Sequence, residues 1–266
     1  MKYKTAIILC GGRGTRLGVL GDKKPKTLID VEGYPILFYV IYSLLRNSVN
    51  HLILPLGYKG EMIKKYVSKK FKHGTNNLKI DLIDTGVNSS IAERIGKVKR
   101  FIKSDNFLLL NGDAIFEFNL KKIFSNHEKK RKTASFICCH ASLDYGVISK
   151  KNNKIINFSR EMNFNTVFSS DNKEILSYVY SGMVILNKIA LKSKFIQFDN
   201  FEKKLYPKLI KLYKTDLIDI KKGFWHSIDS IKDLNRLNKK NNFKKFLNLI
   251  KIKKKNISYE KKLLEK

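Results

Sequence analysis

Apolar runs of strand length alternate with amphipathic stretches of helix length along the first half of the chain. The run Ala6 to Leu9 predicts a buried strand, and Pro35 to Arg46 has apolar residues at helical spacing. Further strands are predicted at His51 to Leu56, Leu78 to Ile83 and Phe107 to Leu110. Strands and helices that alternate in this way favour right-handed crossovers and a mainly parallel sheet covered on both faces. The pattern therefore predicts an α/β fold.

The second half of the chain has a less regular pattern. Strands are predicted at Thr133 to His140 and Val179 to Leu186, and a β-hairpin at residues 145–158. Mixed strand directions are therefore expected there. From Ile231 onward the sequence is helical and very basic. We predict a core domain at residues 1–230 and a basic helical C-terminal extension at residues 231–266.

The composition excludes several classes of protein. With 266 residues, 43% of them hydrophobic, the chain can bury a sizeable core. It has no run of about 18 apolar residues and no apolar signal region before the first strand, so we expect a cytoplasmic protein with no transmembrane segment. Cys10, Cys138 and Cys139 lie in apolar, strand-like runs. This placement is typical of reduced core thiols rather than of disulfides or zinc ligands.

The net charge of +31 is large enough to suggest binding to nucleic acid or to an anionic membrane. The lysines, however, are spread along the whole chain together with many Asn and Ile residues. No helix-turn-helix, zinc-finger or RNA-binding aromatic motif is matched. We interpret the charge as a general compositional bias and expect no specific nucleic-acid partner.

The segment Leu9 to Lys26, LCGGRGTRLGVLGDKKPK, has the character of a phosphate-binding loop. Its glycines allow a sharp turn and let backbone N–H groups approach an anion. Several cationic side chains surround the same point and suit a polyphosphate, because Arg can bind two oxygens at once. The dinucleotide fingerprint is excluded because Leu17 stands where its third glycine belongs, and no G-x-x-x-x-G-K-[ST] motif is present.

Two carboxylates are candidate metal ligands near this loop. In parallel sheets, ligands bind at the carboxyl ends of the strands, and four such ends carry GGRGTR, GYKG, DTG and NGDA. A carboxylate beside a polyphosphate needs a cation between them, and Mg²⁺ prefers one or two carboxylates plus phosphate oxygens. Asp113 in NGDA is therefore the first predicted ligand, and Asp229, after GFWHS, is the second. The alternative for either is a helix cap, before the next helix for Asp113 and before Ile231 for Asp229.

Together these motifs resemble the sugar-1-phosphate nucleotidyltransferases, and most closely the glucose-1-phosphate cytidylyltransferase branch of that family. The resemblance extends from about Ile7 to Ser230. GGRGTRL and the Pro-Lys pair are shared by all branches, whereas GYKG, DTG and GFW followed by Asp229 are more particular to the cytidylyl branch. It implies a Rossmann-like, three-layer αβα nucleotidyltransferase fold with a mixed, mainly parallel central sheet.

The resemblance also implies an activity and a set of site residues. The activity is Mg²⁺-dependent transfer of a nucleotidyl group, from CTP in this branch, to glucose 1-phosphate, with release of pyrophosphate, for surface polysaccharide or lipopolysaccharide synthesis. Catalytic roles fall on Arg16 and Lys26. Nucleotide contacts fall on Leu9, Gly11, Gly12, Gly14, Thr15, Arg16, Arg94 and Asp113. Sugar-phosphate contacts fall on Tyr145, Gly146, Arg160 and Gly182, and the Mg²⁺ ligands are Asp113 and Asp229. A homo-oligomer is implied as well.

Two departures from the branch leave the substrates open. Where the branch has T-G-G-R, this chain has Ile91, Ala92, Glu93 and Arg94, so both glycines are lost. Where the family usually has E-K-P, this chain has Arg160, Glu161 and Met162. GTP with mannose or heptose 1-phosphate, and dTTP or UTP with glucose 1-phosphate, remain alternatives. A regulatory protein that binds nucleotide-sugars without turnover is an alternative of another class.

Overall fold

The computed structural model describes residues 4–71, 78–139, 147–151, 154–159, 166–168, 174–176, 178–192, 200–238 and 242–250. The strands are β1 Thr5–Leu9, β2 Asp30–Val31, β3 Tyr34–Pro35, β4 His51–Leu56, β5 Lys79–Asp84, β6 Asn106–Asn111, β7 Ala114–Glu117, β8 Ala134–Cys139, β9 Val147–Lys151, β10 Lys154–Ser159, β11 Thr166–Phe168, β12 Glu174–Leu176, β13 Val179–Asn187, β14 Thr215–Asp219 and β15 Phe224–Ser227. The α-helices are α1 Val19–Lys23, α2 Ile36–Arg46, α3 Gly60–Lys70, α4 Ile91–Val98, α5 Leu120–Lys129, α6 Tyr206–Leu212, α7 Ile231–Asn238 and α8 Asn242–Ile250.

Seven of the described strands form the central sheet, in the order β14-β8-β13-β6-β1-β4-β5. β1 pairs in parallel with both β4 and β6, β4 pairs in parallel with β5, and β14 pairs in parallel with β8. β13 alone among these seven runs antiparallel to its neighbours β6 and β8. The predicted mixed, mainly parallel sheet is therefore confirmed.

The sheet separates two hydrophobic layers, as expected when consecutive side chains of a strand point to opposite faces. Ala6 and Ile8 of β1 belong to one buried cluster, which also contains the apolar side of α2. Ile7 belongs to the other cluster, with Ile95 of α4 and Leu209 of α6. Helices thus cover both faces, and the Rossmann-like, three-layer arrangement is confirmed.

One pairing that matters for the site was not predicted from the sequence. β7 and β15, which are separated by more than 100 residues, form a small antiparallel sheet of their own. In its register, Ala114 lies opposite Ser227 and Glu117 lies opposite Phe224. Asp113 stands directly before β7 and Asp229 stands two residues after β15, so this sheet brings the two aspartates to the same end.

The last described helix, α8, packs on the core through aromatic side chains. Phe243 and Phe246 of α8 are buried, and Phe246 lies 5.2 Å from the ring of Phe224 in β15 and 5.6 Å from that of Tyr39 in α2. Ile250 at the end of α8 is also buried. The predicted boundary at residue 230 stays a prediction, but α8 clearly supports the β7–β15 sheet.

The described cysteines are free and buried. Burial raises the pKa of the Cys10 thiol to about 12, although the nearby Arg94 lowers it in part. Such thiols are poor nucleophiles, in agreement with their prediction as core residues. Among the described helices, none has the length and apolar character needed to cross a membrane.

Candidate active site

The glycine-rich segment after β1 forms a tight loop that is anchored by the buried side chain of Leu17. Gly14 and Gly18 adopt positive φ angles of 65° and 52°, conformations that residues with a Cβ rarely adopt. Between them, Thr15–Leu17 makes one 3-10 turn that buries the Leu17 side chain completely. Gly12 and Arg16 remain exposed. The loop is therefore anchored to the core by Leu17, and its other side is exposed, where a ligand can bind.

The loop forms one wall of a cleft of about 230 Å³ at the carboxyl end of β1. Pockets for whole drug-sized ligands measure roughly 300–1,000 Å³, so this cleft accommodates part of a nucleotide, such as its phosphates. It is lined by Leu9, Cys10, Gly12, Gly14, Thr15, Arg16, Lys26, Thr27, Asp113 and Asp229. Eight of these ten are predicted site residues, and the structure brings them together.

Lys26 lies between the two predicted metal ligands. Its Nζ donates to Asp113 Oδ2 at 2.6 Å and to Asp229 Oδ1 at 2.8 Å. Arg16 Nη1 lies 3.6 Å from the same Asp229 oxygen. The Lys26 and Asp113 side chains are only 14% and 24% exposed, whereas that of Asp229 is 43% exposed. Charges of both signs therefore converge on one point at the end of the phosphate loop.

The β7–β15 register explains why two distant aspartates meet. The Ile228 N–H donates to the Asp113 carbonyl at 3.0 Å, which continues the pairing of the two strands by one residue. Gly112 packs so closely beneath Asp113 that a Cβ on it would lie 2.9 Å from the Leu9 carbonyl oxygen. The backbone before Asp113 is thus held directly against the end of β1.

Neither aspartate acts as a helix cap. Asp113 precedes a strand, β7, rather than a helix. At the start of α7, Ser230 Oγ accepts from the Asp233 N–H at 3.3 Å, while Asp233 Oδ2 accepts from the Ser230 N–H at 2.8 Å. The Asp229 side chain instead accepts from Lys26 and from Ser227 Oγ. The capping alternatives are therefore not what the geometry shows.

The charge on Asp229 is stabilised by its neighbours. Burial by itself would raise the pKa of this carboxyl group, but the hydrogen bond and charge of Lys26 lower it. Ser227 and Arg16 contribute in the same direction, and the net result is a pKa below the ordinary value of 3.8. Asp229 is thus an anion at neutral pH.

The donor set fits a divalent cation of the Mg²⁺ type. Among the described residues no group of three or more His, Cys, Asp or Glu side chains converges as a metal cage. Mg²⁺ does not need one, because one or two carboxylates and substrate phosphates satisfy it. The two aspartates already share one cationic group, the Lys26 ammonium. A cation bound with substrate phosphates would therefore find both carboxylates in place.

Arg94 lies outside the cleft lining, behind the loop. It is only 6% exposed, and its guanidinium donates to the Gly11 carbonyl at 3.3 Å. Gly11 is likewise buried behind the cleft. Ala92 and Glu93, which stand where the cytidylyl branch has its two glycines, lie in the first turn of helix α4.

Gly182 also lies outside the cleft lining, in β13. Its φ angle is 77°, and a Cβ there would lie 2.8 Å from Asn111 Nδ2. Glycine is therefore required where β13 passes the end of β6. Tyr145, Gly146 and Arg160, the other predicted sugar-phosphate contacts, fall outside the described residues.

Two lining residues were not predicted from the sequence, Cys10 and Thr27. Thr27 is 4% exposed, and its Oγ1 is buried without a hydrogen-bond partner in the described part of the chain. Its position directly after Lys26 is the one sequence signal that could have identified it. A buried hydroxyl without a partner is uncommon in native proteins.

Comparison with known proteins identifies the family and the fold. The sequence model of the family described as "Nucleotidyl transferase" matches residues 5–242. The "Probable glucose-1-phosphate cytidylyltransferase" of Bacillus subtilis is 28% identical over 256 residues, which covers 88% of this chain and 94% of that protein. The D-glycero-alpha-D-manno-heptose 1-phosphate guanylyltransferase of Aneurinibacillus thermoaerophilus is 26% identical, covering 80% and 92%. The crystal structure of HddC from Yersinia pseudotuberculosis shares the fold, with a TM-score of 0.64 at 22% identity, covering 88% and 97%.

Proposed function

We propose that this chain, which belongs to the nucleotidyl transferase family as a sugar-1-phosphate nucleotidyltransferase, forms a CDP-sugar. Its proposed substrates are CTP and glucose 1-phosphate. The relatives include cytidylyltransferases of Bacillus subtilis and Salmonella typhimurium, which supports CTP. The heptose-phosphate guanylyltransferase among them makes GTP the second candidate.

The observation that carries this proposal is the convergence of Lys26, Arg16 and two aspartates beside the glycine loop. The reaction joins two anions that repel each other, so a site for it needs fixed cations and backbone donors rather than a protein nucleophile. The cleft supplies both, and its lining also includes the buried Cys10 thiol, a candidate protein nucleophile. Its raised pKa makes it unsuitable for that role.

In the proposed reaction, an oxygen of the sugar 1-phosphate attacks the α-phosphorus of the nucleoside triphosphate. The bond between that phosphorus and the oxygen bridging to the β-phosphate breaks, and pyrophosphate leaves with the bonding electron pair. The phosphate-loop N–H groups and Arg16 hold the triphosphate, and Lys26 neutralises charge that develops on the transferred phosphorus oxygens. Orientation of the two substrates supplies much of the acceleration.

Asp113 and Asp229 would hold Mg²⁺ in this proposal. When bound, the ion would neutralise charge on the phosphate oxygens and orient them. Since the Lys26 ammonium contacts both carboxylates, Lys26 must release at least part of this contact when the substrates and the cation bind. The lysine is then free to turn toward the substrate phosphates.

The setting of the reaction is also part of the proposal. We place the enzyme in the cytoplasm, as a homo-oligomer that supplies nucleotide-sugar for surface polysaccharide or lipopolysaccharide. Support for this comes from the family alone. The net charge of +31 predicts that anionic substrates approach in a favourable overall field.

The test is a panel of pyrophosphate-release assays. Each of CTP, GTP, UTP, dTTP and ATP is combined with Mg²⁺ and with glucose, mannose and heptose 1-phosphates. Release with CTP and glucose 1-phosphate alone would establish the proposal, and release with GTP would transfer it to a guanylyltransferase. Triphosphate binding without release from any pair would favour a nucleotide-sugar-binding regulatory protein.

A further inference from the structure

One buried arginine joins three segments of the chain around the cleft. Arg94 lies in the first turns of α4, a helix that begins with a capping box in which Ser90 Oγ accepts from the Glu93 N–H and the Glu93 carboxylate accepts from the Ser90 N–H. The helix thus starts at a fixed point and directs the Arg94 side chain toward the carboxyl ends of the sheet strands. The residue is 6% exposed.

The guanidinium of Arg94 donates four hydrogen bonds. Nη1 reaches the Leu56 carbonyl at 3.0 Å and Thr85 Oγ1 at 2.7 Å. Nη2 reaches the Gly11 carbonyl at 3.3 Å and the Val87 carbonyl at 3.1 Å. These acceptors lie at the last residue of β4 and in the loops that follow β1 and β5. One side chain therefore connects the phosphate loop to both neighbouring strand ends.

Further hydrogen bonds close the same network. Thr85 donates to the Leu56 carbonyl through both its N–H, at 3.0 Å, and its Oγ1, at 2.6 Å. The Tyr58 N–H donates to the Gly11 carbonyl at 3.1 Å. The Gly11 carbonyl therefore accepts from two donors, one in the β4 loop and one from Arg94. The DTG and GYKG motifs thus use Thr85 and Tyr58 to fasten loops together.

Two glycines hold the guanidinium between them. A Cβ on Gly11 would lie 2.7 Å from Arg94 Cζ, and a Cβ on Gly57 would lie 2.7 Å from Arg94 Nη2 and 2.8 Å from the Gly11 carbonyl oxygen. Such distances are too short for any side chain. The absence of a side chain at Gly11 and Gly57 therefore makes room for the Arg94 guanidinium. A substitution at either glycine should displace that guanidinium.

The charge of Arg94 has no carboxylate partner among the described ion pairs, and its four acceptors are carbonyl and hydroxyl oxygens. Burying a cation without an anionic partner is unfavourable unless fixed dipoles replace its water. Because the planar fork of Arg reaches several acceptors at set angles, it suits this arrangement better than Lys.

We propose that Arg94 is a positioning residue that fixes the phosphate loop for nucleotide binding by fastening it to the end of β4 and the loop after β5. This inference rests on the proposed function. It differs from a direct contact with the nucleotide, because the guanidinium lies behind Gly11, and both Nη atoms bond to the protein. Removal of Arg94 should release the backbone N–H groups of the loop from their working orientation.

The experiment uses the full chain with each of the substitutions Arg94→Gln, Arg94→Lys and Gly57→Ala. A double variant combines Arg94→Gln with Gly57→Ala. Arg100→Gln is the matched control, since Arg100 is exposed six residues further along. Hydrogen exchange is measured on the free protein, in peptides that cover residues 9–16 and 84–90. Binding of CTP and GTP, and the KM for sugar 1-phosphate, are measured on the same samples.

We expect faster exchange in both segments of Arg94→Gln, 10–100-fold weaker triphosphate binding, and a sugar-phosphate KM within twofold of wild type. Arg94→Lys should recover part of the loss. The double variant Arg94→Gln/Gly57→Ala should lose less triphosphate affinity than the two single losses combined, because both changes disturb the same junction at Gly11. Arg100→Gln should match wild type throughout.

Weaker binding in Arg94→Gln with unchanged exchange would indicate direct nucleotide contact and would overturn the proposal. Additive losses in the double variant would overturn it as well. If wild type bound no triphosphate, the proposed function would fail, yet exchange in the free protein would still decide whether Arg94 fastens the loops. If Arg94→Gln did not fold, exchange and binding of Arg94→Lys and Gly57→Ala would give the same decision.

Discussion

Replacing Lys26 by alanine tests the centre of the site most directly. In the structure its ammonium lies 2.6 Å from one aspartate oxygen and 2.8 Å from another. The variant removes this shared ammonium from Asp113 and Asp229 and leaves Asp229 with the longer contact to Arg16, at 3.6 Å. Lys24→Ala is the matched control, because Lys24 also pairs with one carboxylate, Asp30 at 2.8 Å, but outside the cleft.

The structure gives the size of the expected stability loss. Removing one partner of a fully buried ion pair costs about 3–5 kcal/mol, and exposed pairs contribute about 0–1 kcal/mol. The Lys26 and Asp113 side chains are 14% and 24% exposed, whereas Asp229 is 43% exposed. Because burial lies between those limits, we expect Lys26→Ala to lower the free energy of unfolding by about 2 kcal/mol. Lys24→Ala, with side chains about half exposed, should lower it by less than about 1 kcal/mol.

The loss of catalysis should be larger than the loss of stability. Removing one group that stabilises developing charge typically lowers kcat by roughly 10²–10³-fold. We expect a loss of this size for Lys26→Ala, with a smaller change in the KM of either substrate, since the cation acts mainly on the transition state. Urea denaturation and steady-state pyrophosphate release measure the two effects on one sample. A folded Lys26→Ala protein that turned over like wild type would remove Lys26 from the mechanism.

Four further predictions concern other parts of the chain. Asp113→Asn should lower Mg²⁺-dependent turnover by at least about 10²-fold with the fold retained; full activity would show that the wrong carboxylate was assigned to the metal. Removal of residues 251–266 should leave kcat within twofold of wild type, because α8 and its Phe246 contacts remain; loss of turnover in a folded truncation would place that segment in the site. Thr27→Val should raise the free energy of unfolding by about 1 kcal/mol in chemical denaturation, because it removes a buried hydroxyl without a partner; a decrease would mean that the hydroxyl is paired. His127→Gln should flatten the fall in stability between pH 6.5 and pH 4. Burial lowers the pKa of His127 from 6.5 to about 4, against a small opposite effect of Asp216, so its stabilising contribution is complete above pH 6.5 and is lost as the unfolded chain takes up the proton. An unchanged pH profile would show that His127 is not responsible.

Much of the fold and part of the site could be predicted from local patterns. The apolar runs of β1, β4 and β6 indicate buried strands because side-chain burial follows the period of the backbone. Glycines next to a buried strand indicate a turn with exposed N–H groups, and Gly14 and Gly18 do adopt positive φ angles. These properties depend on residues near each other in the chain, so the sequence alone contains them.

Other features depend on residues far apart in the chain. Lys26 and Asp229 are 203 positions apart, and their meeting depends on the pairing of β7 with β15, which no periodicity indicated. The surroundings of Arg94 are of the same kind. The resemblance implied contact with the nucleotide, and the structure adds that the guanidinium is buried and donates to the Gly11 carbonyl.

The sequence by itself determined the α/β class, the glycine-rich turn after β1 and the types of side chain that the proposed chemistry needs. Only the tertiary structure decided which of those side chains share one point and which lie behind it. The physical reason is that turn preference and hydrophobic period are set by neighbouring residues, whereas strand pairing and the burial of a charge are set by packing across the whole chain.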